Sequence, residues 1–113
     1  MATSTIPTNN KSEAITVSFL VSNLSSGSAI GGRRSGNTVI ISGYLNSSSE
    51  IASGTTIAKV TNPSSFANGV FETIASASGD ISRLNLRADG NLVTERRLLA
   101  NNWYSFSFTL FVN

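Results

Sequence analysis

The chain has 113 residues and contains neither cysteine nor histidine, so disulfides, thiolate nucleophiles, Cys-containing zinc sites and His-based acid–base chemistry are all excluded. Only 12% of it is charged, eight Lys and Arg against six Asp and Glu, and the basic residues are scattered except for Arg33-Arg34 and Arg96-Arg97, too thin a footprint for nucleic acid. One domain is the natural reading, burying roughly 65% of its unfolded surface, and no apolar run is long enough to insert into a membrane.

Residues 1–13 are polar and without periodicity, which reads as a flexible lead-in or linker. They lack the basic and apolar regions of a signal peptide, so the chain is expected to be soluble and unprocessed. From Ile15 the pattern changes: Ile15, Val17, Phe19 and Val21 alternate with Thr16, Ser18 and Leu20, the period of a half-buried strand. Ser22 to Gly32 is small, polar and Gly-rich, a loop by composition. After the turn Ser35-Gly36-Asn37, a strand is expected in which Val39, Ile41, Gly43 and Leu45 share one face and Thr38, Ile40, Ser42 and Tyr44 the other. Gly43 marks a bulge or a close backbone approach.

Asn46 to Ser49 is a turn, Ile51 to Val60 an apolar segment broken at Gly54, and Asn62-Pro63 another turn. Val70 to Ala75 is a short strand, followed by a turn over Ser76 to Asp80. Ile81 to Arg87 and Asn91 to Glu95 flank Ala88-Asp89-Gly90, a strong hairpin signal. Leu84 and Leu86 are expected to point inward, and Arg83, Asn85 and Arg87 outward. Trp103 to Val112 alternates over ten residues and reads as a central strand. There is no helical period and no internal repeat, and Ser, Thr and Asn make up 43 residues. The expected fold is therefore all-β: residues 14–113 as a single antiparallel β-barrel or jelly-roll sandwich of about seven or eight short strands.

Four landmarks stand in order along these elements: Arg34-Ser35-Gly36-Asn37-Thr38-Val39 leading into Ile41-Ser42-Gly43; Ile51-Ala52-Ser53-Gly54-Thr55-Thr56-Ile57; Leu84-Asn85-Leu86-Arg87-Ala88-Asp89-Gly90-Asn91-Leu92; and Asn102-Trp103-Tyr104-Ser105-Phe106-Ser107-Phe108-Thr109-Leu110. Their succession resembles the C-terminal head domain of receptor-binding proteins from the tail tip or baseplate of siphophages that infect Gram-positive cocci. The resemblance implies a β-barrel or jelly-roll head that assembles as a homotrimer on the virion, contacts other tail or baseplate proteins, and binds a host cell-wall saccharide at or near protomer interfaces. It implies no cofactor. Those heads usually follow a shoulder and a neck, for which this chain shows no heptads and no Gly-x-y repeat.

A saccharide site needs an apolar platform for the sugar C–H face and a few fixed polar groups. Trp103, at the entrance of the last strand on its Ser/Thr side, is the leading platform candidate, and Tyr44 on an outward face is the second. The alternative for both is packing against a neighbouring protomer or capping the barrel end. Asp80, Arg83, Asn85 and Arg87 form the polar candidate set, suited to hydroxyls or to a phosphate because Arg matches oxyanions in bidentate geometry. A solvated face or ion pairs with Glu72 or Glu95 are the plainer alternative. Glycoside hydrolysis requires two facing carboxylates, and Glu72, Asp80, Asp89 and Glu95 all adjoin turns or outward positions, so a binding protein is expected rather than an enzyme. Asp80 and Asp89 lack the clustered acids of a calcium loop, so no metal is expected.

Overall fold

Alternating β-branched and aromatic residues with Ser and Thr favours extended backbone that buries one face, and the whole architecture follows from that preference. The computed structural model describes residues 12–63 and 65–112. Among these there are eight strands and no helix: β1 (Ser12–Phe19), β2 (Ala29–Ser35), β3 (Thr38–Leu45), β4 (Thr56–Asn62), β5 (Val70–Ala75), β6 (Ile81–Leu86), β7 (Asn91–Thr94) and β8 (Tyr104–Phe111). All pairings are antiparallel, in the order β5-β6-β7-β4-β1-β2-β3-β8, and the sheet curls into a nearly closed barrel.

Curling is made possible by β1, which serves two neighbours in turn. Ser12–Ile15 pair with β2 and Thr16–Phe19 with β4, with an irregular register at Thr16/Val17. Such an irregularity bends a strand and raises its twist, which here carries the sheet round a corner. The two ends of the sheet, β5 and β8, then face one another. They are clasped at one end by the Ser76–Tyr104 bridge and a 3.0 Å bond from the Ala77 N–H to the Trp103 carbonyl, and at the other by the Ala67 N–H donating to the Phe111 carbonyl at 2.8 Å. Between the clasps no ladder joins them, and a groove runs along the seam.

The expected inner faces are the core. Val39, Ile41 and Leu45 of β3 and Tyr104, Phe106, Phe108 and Leu110 of β8 are buried, joined by Ile57, Val60, Leu84, Leu86 and Leu92 from the other half of the barrel. Each such side chain stabilises the fold by roughly 1.5–3 kcal/mol relative to exposure. The hairpin turns where Asp89-Gly90 predicts: Gly90 has φ +89° and the Asp89 carboxylate accepts the Asn91 N–H at 3.0 Å.

Two expectations are corrected. The Ser22–Gly32 loop ends early, because Ala29 already opens β2; flanking strands on both sides supply the hydrogen bonds that its Gly-rich sequence does not advertise. β8 is not central in the ladder but its last strand, since alternation reports one buried face and says nothing about how many edges are paired. β1 takes in Ser12 and Glu13, and residues 1–11, the rest of the stretch read as a lead-in, lie outside the described residues.

Candidate functional site

Trp103 sits just ahead of β8, where the chain has turned through Asn101 at φ +59°. Its backbone is anchored by the Ala77 bond above, and its flank by a short polar chain: Asn102 Nδ2 donates to the Ala100 carbonyl at 2.8 Å, Ser78 hydrogen-bonds Asn102 Oδ1, and Ser76 and Ser78 share a 3.0 Å contact. The indole lies over Gly27, where a Cβ would come within 3.0 Å of its Cη2 atom. Any larger residue would push the ring outward by a few tenths of an ångström.

Register then brings the second aromatic alongside. Tyr44 pairs with Ser105, two residues on from Trp103, so the two rings are diagonal neighbours on the outer face. Their centroids are 6.2 Å apart with planes tilted by 57°, and both remain open to solvent, Trp103 at 40% and Tyr44 at 50% exposure. Beside them is a hollow of about 260 Å³ lined by Tyr44, Ala75, Ser76, Ala77, Trp103, Tyr104 and Ser105. Ala75 and Ser105 also line the seam groove of about 610 Å³, which continues past Thr73 and Ser107 to Glu72. Two exposed aromatics thus stand at the head of a groove walled by the facing edges of β5 and β8, with Thr73, Ser105 and Ser107 hydroxyls among the apolar side chains of Ile74, Ala75 and Phe106.

Behind the hollow, Asp80 is engaged within the protein. Tyr104 Oη donates to Asp80 Oδ2 at 2.7 Å and accepts the Leu99 N–H at 3.0 Å; Arg97 Nη1 lies 3.8 Å from Asp80 Oδ1; and the Asp80 N–H donates to Ser76 Oγ at 3.0 Å. Burial raises the Tyr104 pKa above its ordinary value, and the hydrogen bond to Asp80 raises it further. Asp80 therefore holds the wall of the hollow in place instead of facing into it.

The expected outward set on β6 is divided. Arg83 stacks its guanidinium over Phe71, 4.5 Å from the ring centroid. Arg87 lies in the hairpin turn, its N–H donating to the Asn91 carbonyl and its carbonyl accepting the Gly90 N–H. Asn85, between them, is on the face opposite Leu84 and Leu86 but only 9% exposed, flanked in the ladder by Phe71 and Val93. An outward strand position is buried when its cross-strand neighbours are larger than it is.

Of the six candidate residues, then, Trp103 and Tyr44 come together, Asp80 supports them from behind, and the others lie elsewhere, Arg83 and Asn85 on β6 and Arg87 in the turn that follows it. Ser105, Ala75 and Thr73 were missed, because which strand lies across the seam from β8 is not written in any local pattern. Among the described residues no three acids come together in a group able to hold a metal ion. In comparisons with known proteins, no family model matches the chain and no curated sequence is significantly similar to it.

Proposed function

We propose that this chain is a host-adhesion head of a bacteriophage receptor-binding protein and that it binds a cell-surface saccharide in the seam groove, with Trp103 and Tyr44 as its apolar platform. The observation that carries the reading is the exposed aromatic pair at the head of a groove that mixes the hydroxyls of Thr73, Ser105 and Ser107 with the apolar side chains of Ile74, Ala75 and Phe106. Aromatic faces pack against sugar C–H surfaces while neighbouring polar groups hold hydroxyls, and the groove's volume of about 610 Å³ leaves room for a saccharide. The order of sequence landmarks resembling phage heads supports the same reading, as does the all-β barrel. In this reading the partners are host cell-wall polysaccharide and the other tail or baseplate proteins, and the chain carries no catalytic activity.

The test is titration of purified cell-wall polysaccharide from candidate Gram-positive hosts. Trp103→Ala is expected to weaken binding by about 1–3 kcal/mol, roughly 5- to 150-fold, on the scale of other aromatic hot spots. Unchanged affinity, with an unaltered circular dichroism spectrum, removes Trp103 from the site and with it the proposal.

Ile40 of β3 and Phe111 of β8 are also exposed, on the same outer face as Tyr44. They favour a second reading, in which that face meets another protomer and the domain serves assembly. A homotrimer is the expected state, and light scattering at micromolar concentration reads it directly. A mass of one chain across that range excludes the trimer.

A further inference from the structure

We infer that Arg83 and Arg96 form an oxyanion-binding site, in a cavity of its own beside the seam groove. The β6–β7 hairpin register sets Arg83 opposite Glu95, whose N–H donates to the Arg83 carbonyl at 2.9 Å, and Ser82 opposite Arg96. Ser82 Oγ reaches the Arg96 and Arg97 carbonyls at 3.1 and 3.2 Å, which fixes the bend that carries Arg96 back toward β6. The result is a cavity of about 510 Å³ lined by Thr73, Ile81, Ser82, Arg83, Glu95 and Arg96.

Two features of this cavity point to an anion. Among the described residues, neither Arg83 nor Arg96 has a carboxylate within 4 Å, although Glu95 stands in the same wall, whereas the neighbouring Arg97 is paired with Asp80. Arg83 and Arg96 bring two positive charges to one concavity against the single carboxylate of Glu95, and an oxyanion between them offsets the excess. Second, the Arg83 guanidinium carbon lies over the Phe71 ring, 4.5 Å from its centroid, a contact that restrains the side chain, and a guanidinium's paired N–H groups match an oxyanion in bidentate geometry. Thr73 adds a hydroxyl donor, and the cavity is large enough for a phosphate or sulfate together with part of the group that carries it. Thr73 also lines the seam groove, so an anionic substituent on a molecule lying there would be within reach of the arginines.

The site stands independently of the saccharide reading, and inorganic phosphate is a sufficient probe. Amide spectra of the isotope-labelled protein should show saturable shifts around Thr73, Arg83, Glu95 and Arg96 as phosphate replaces chloride at constant ionic strength, with affinity in the millimolar range. Arg83→Gln or Arg96→Gln should each weaken this about tenfold, and the pair should abolish it; Glu95→Gln should tighten it; Trp103→Ala should leave it unchanged. Sulfate should compete. Shifts that chloride alone reproduces, that do not saturate, or that persist in the double Gln variant overturn the proposal, and the first two require no substitution at all. If the site holds, a phosphorylated polysaccharide should lose part of its affinity after phosphate removal, whereas equal loss of free-phosphate and polysaccharide binding in the Trp103→Ala protein would merge the two sites and overturn their independence.

Discussion

Gly43→Ala is expected to destabilise the protein by about 1–3 kcal/mol, although alanine ordinarily stiffens an unfolded chain and gains about 0.4–1 kcal/mol where the backbone allows it. A Cβ at Gly43 would lie 2.5 Å from the Ala29 carbonyl oxygen, 3.0 Å from the Ile30 Cα and 2.9 Å from Phe106 Cζ. Two of these three atoms are backbone, so relief requires β2 to move off β3 and not merely a side chain to rotate. Gly31→Ala, one strand away, is the control: no atom lies within 4 Å of its Cβ position, and a change within about 0.5 kcal/mol is expected. Urea unfolding of both variants decides the matter, and equal midpoints would mean that the strands are not as close as described. Because Tyr44 follows Gly43 directly, the same variant should also loosen the aromatic pair.

Tyr104→Ala is expected to cost about 4 kcal/mol or more. The ring is fully buried, and large aromatic deletions in cores cost about 3–5 kcal/mol before any polar loss is counted. Removal also strands the Leu99 N–H and the Asp80 carboxylate, both of which bond to the hydroxyl. Tyr104→Phe isolates that polar part, about 2 kcal/mol for a hydrogen bond to a charged group. The parent protein and Tyr104→Phe differ again in alkali. Since the folded pKa of Tyr104 is raised, by burial first and by the Asp80 bond second, the folded state holds the phenolic proton more tightly than the unfolded chain does. This contribution is whole below about pH 10, where the unfolded phenol is still protonated, and is lost as pH rises through the folded pKa. Stability measured between pH 8 and 11 should therefore fall more steeply in the parent protein than in Tyr104→Phe. Parallel curves would detach Tyr104 from Asp80.

The parts of this molecule legible in its sequence are those set by period and by turn chemistry. Alternation placed β1, β3 and β8, and Asp89-Gly90 placed the β6–β7 hairpin, because side-chain direction and positive φ are local properties. β2 was illegible for the opposite reason. Gly32 occupies a position where a Cβ would come within 3.0 Å of the Ile40 carbonyl and of the Ile41 side chain and 3.1 Å from Ile15. The residue that looks like a loop former is there because the strands on either side crowd it. Trp103 and Tyr44 were legible as exposed aromatics, but their contact depends on the β3–β8 register, and the seam beside them on closure of the whole barrel. The partnership of Arg83 with Arg96 was half legible, since counting back from the Asp89-Gly90 turn sets Ser82 opposite Arg96; what could not be read is that Asn85, between Arg83 and Arg87, would be covered.

The β3–β8 register also bears on how the molecule reaches this state. Tyr44 and Trp103 are 59 residues apart in sequence, and the strands that join them enclose nearly all the intervening chain. Local hairpins such as β2–β3 and β6–β7 can form on microsecond timescales, whereas a pairing of such high sequence separation pays loop-closure entropy first and comes late in non-local β topologies. Trp103 is the only tryptophan in the chain, so its fluorescence is blind to the early hairpins and sensitive to the docking of β8. The emission of this one ring is thus a stopwatch on the closing step, and no partly assembled chain can present the aromatic pair to a ligand.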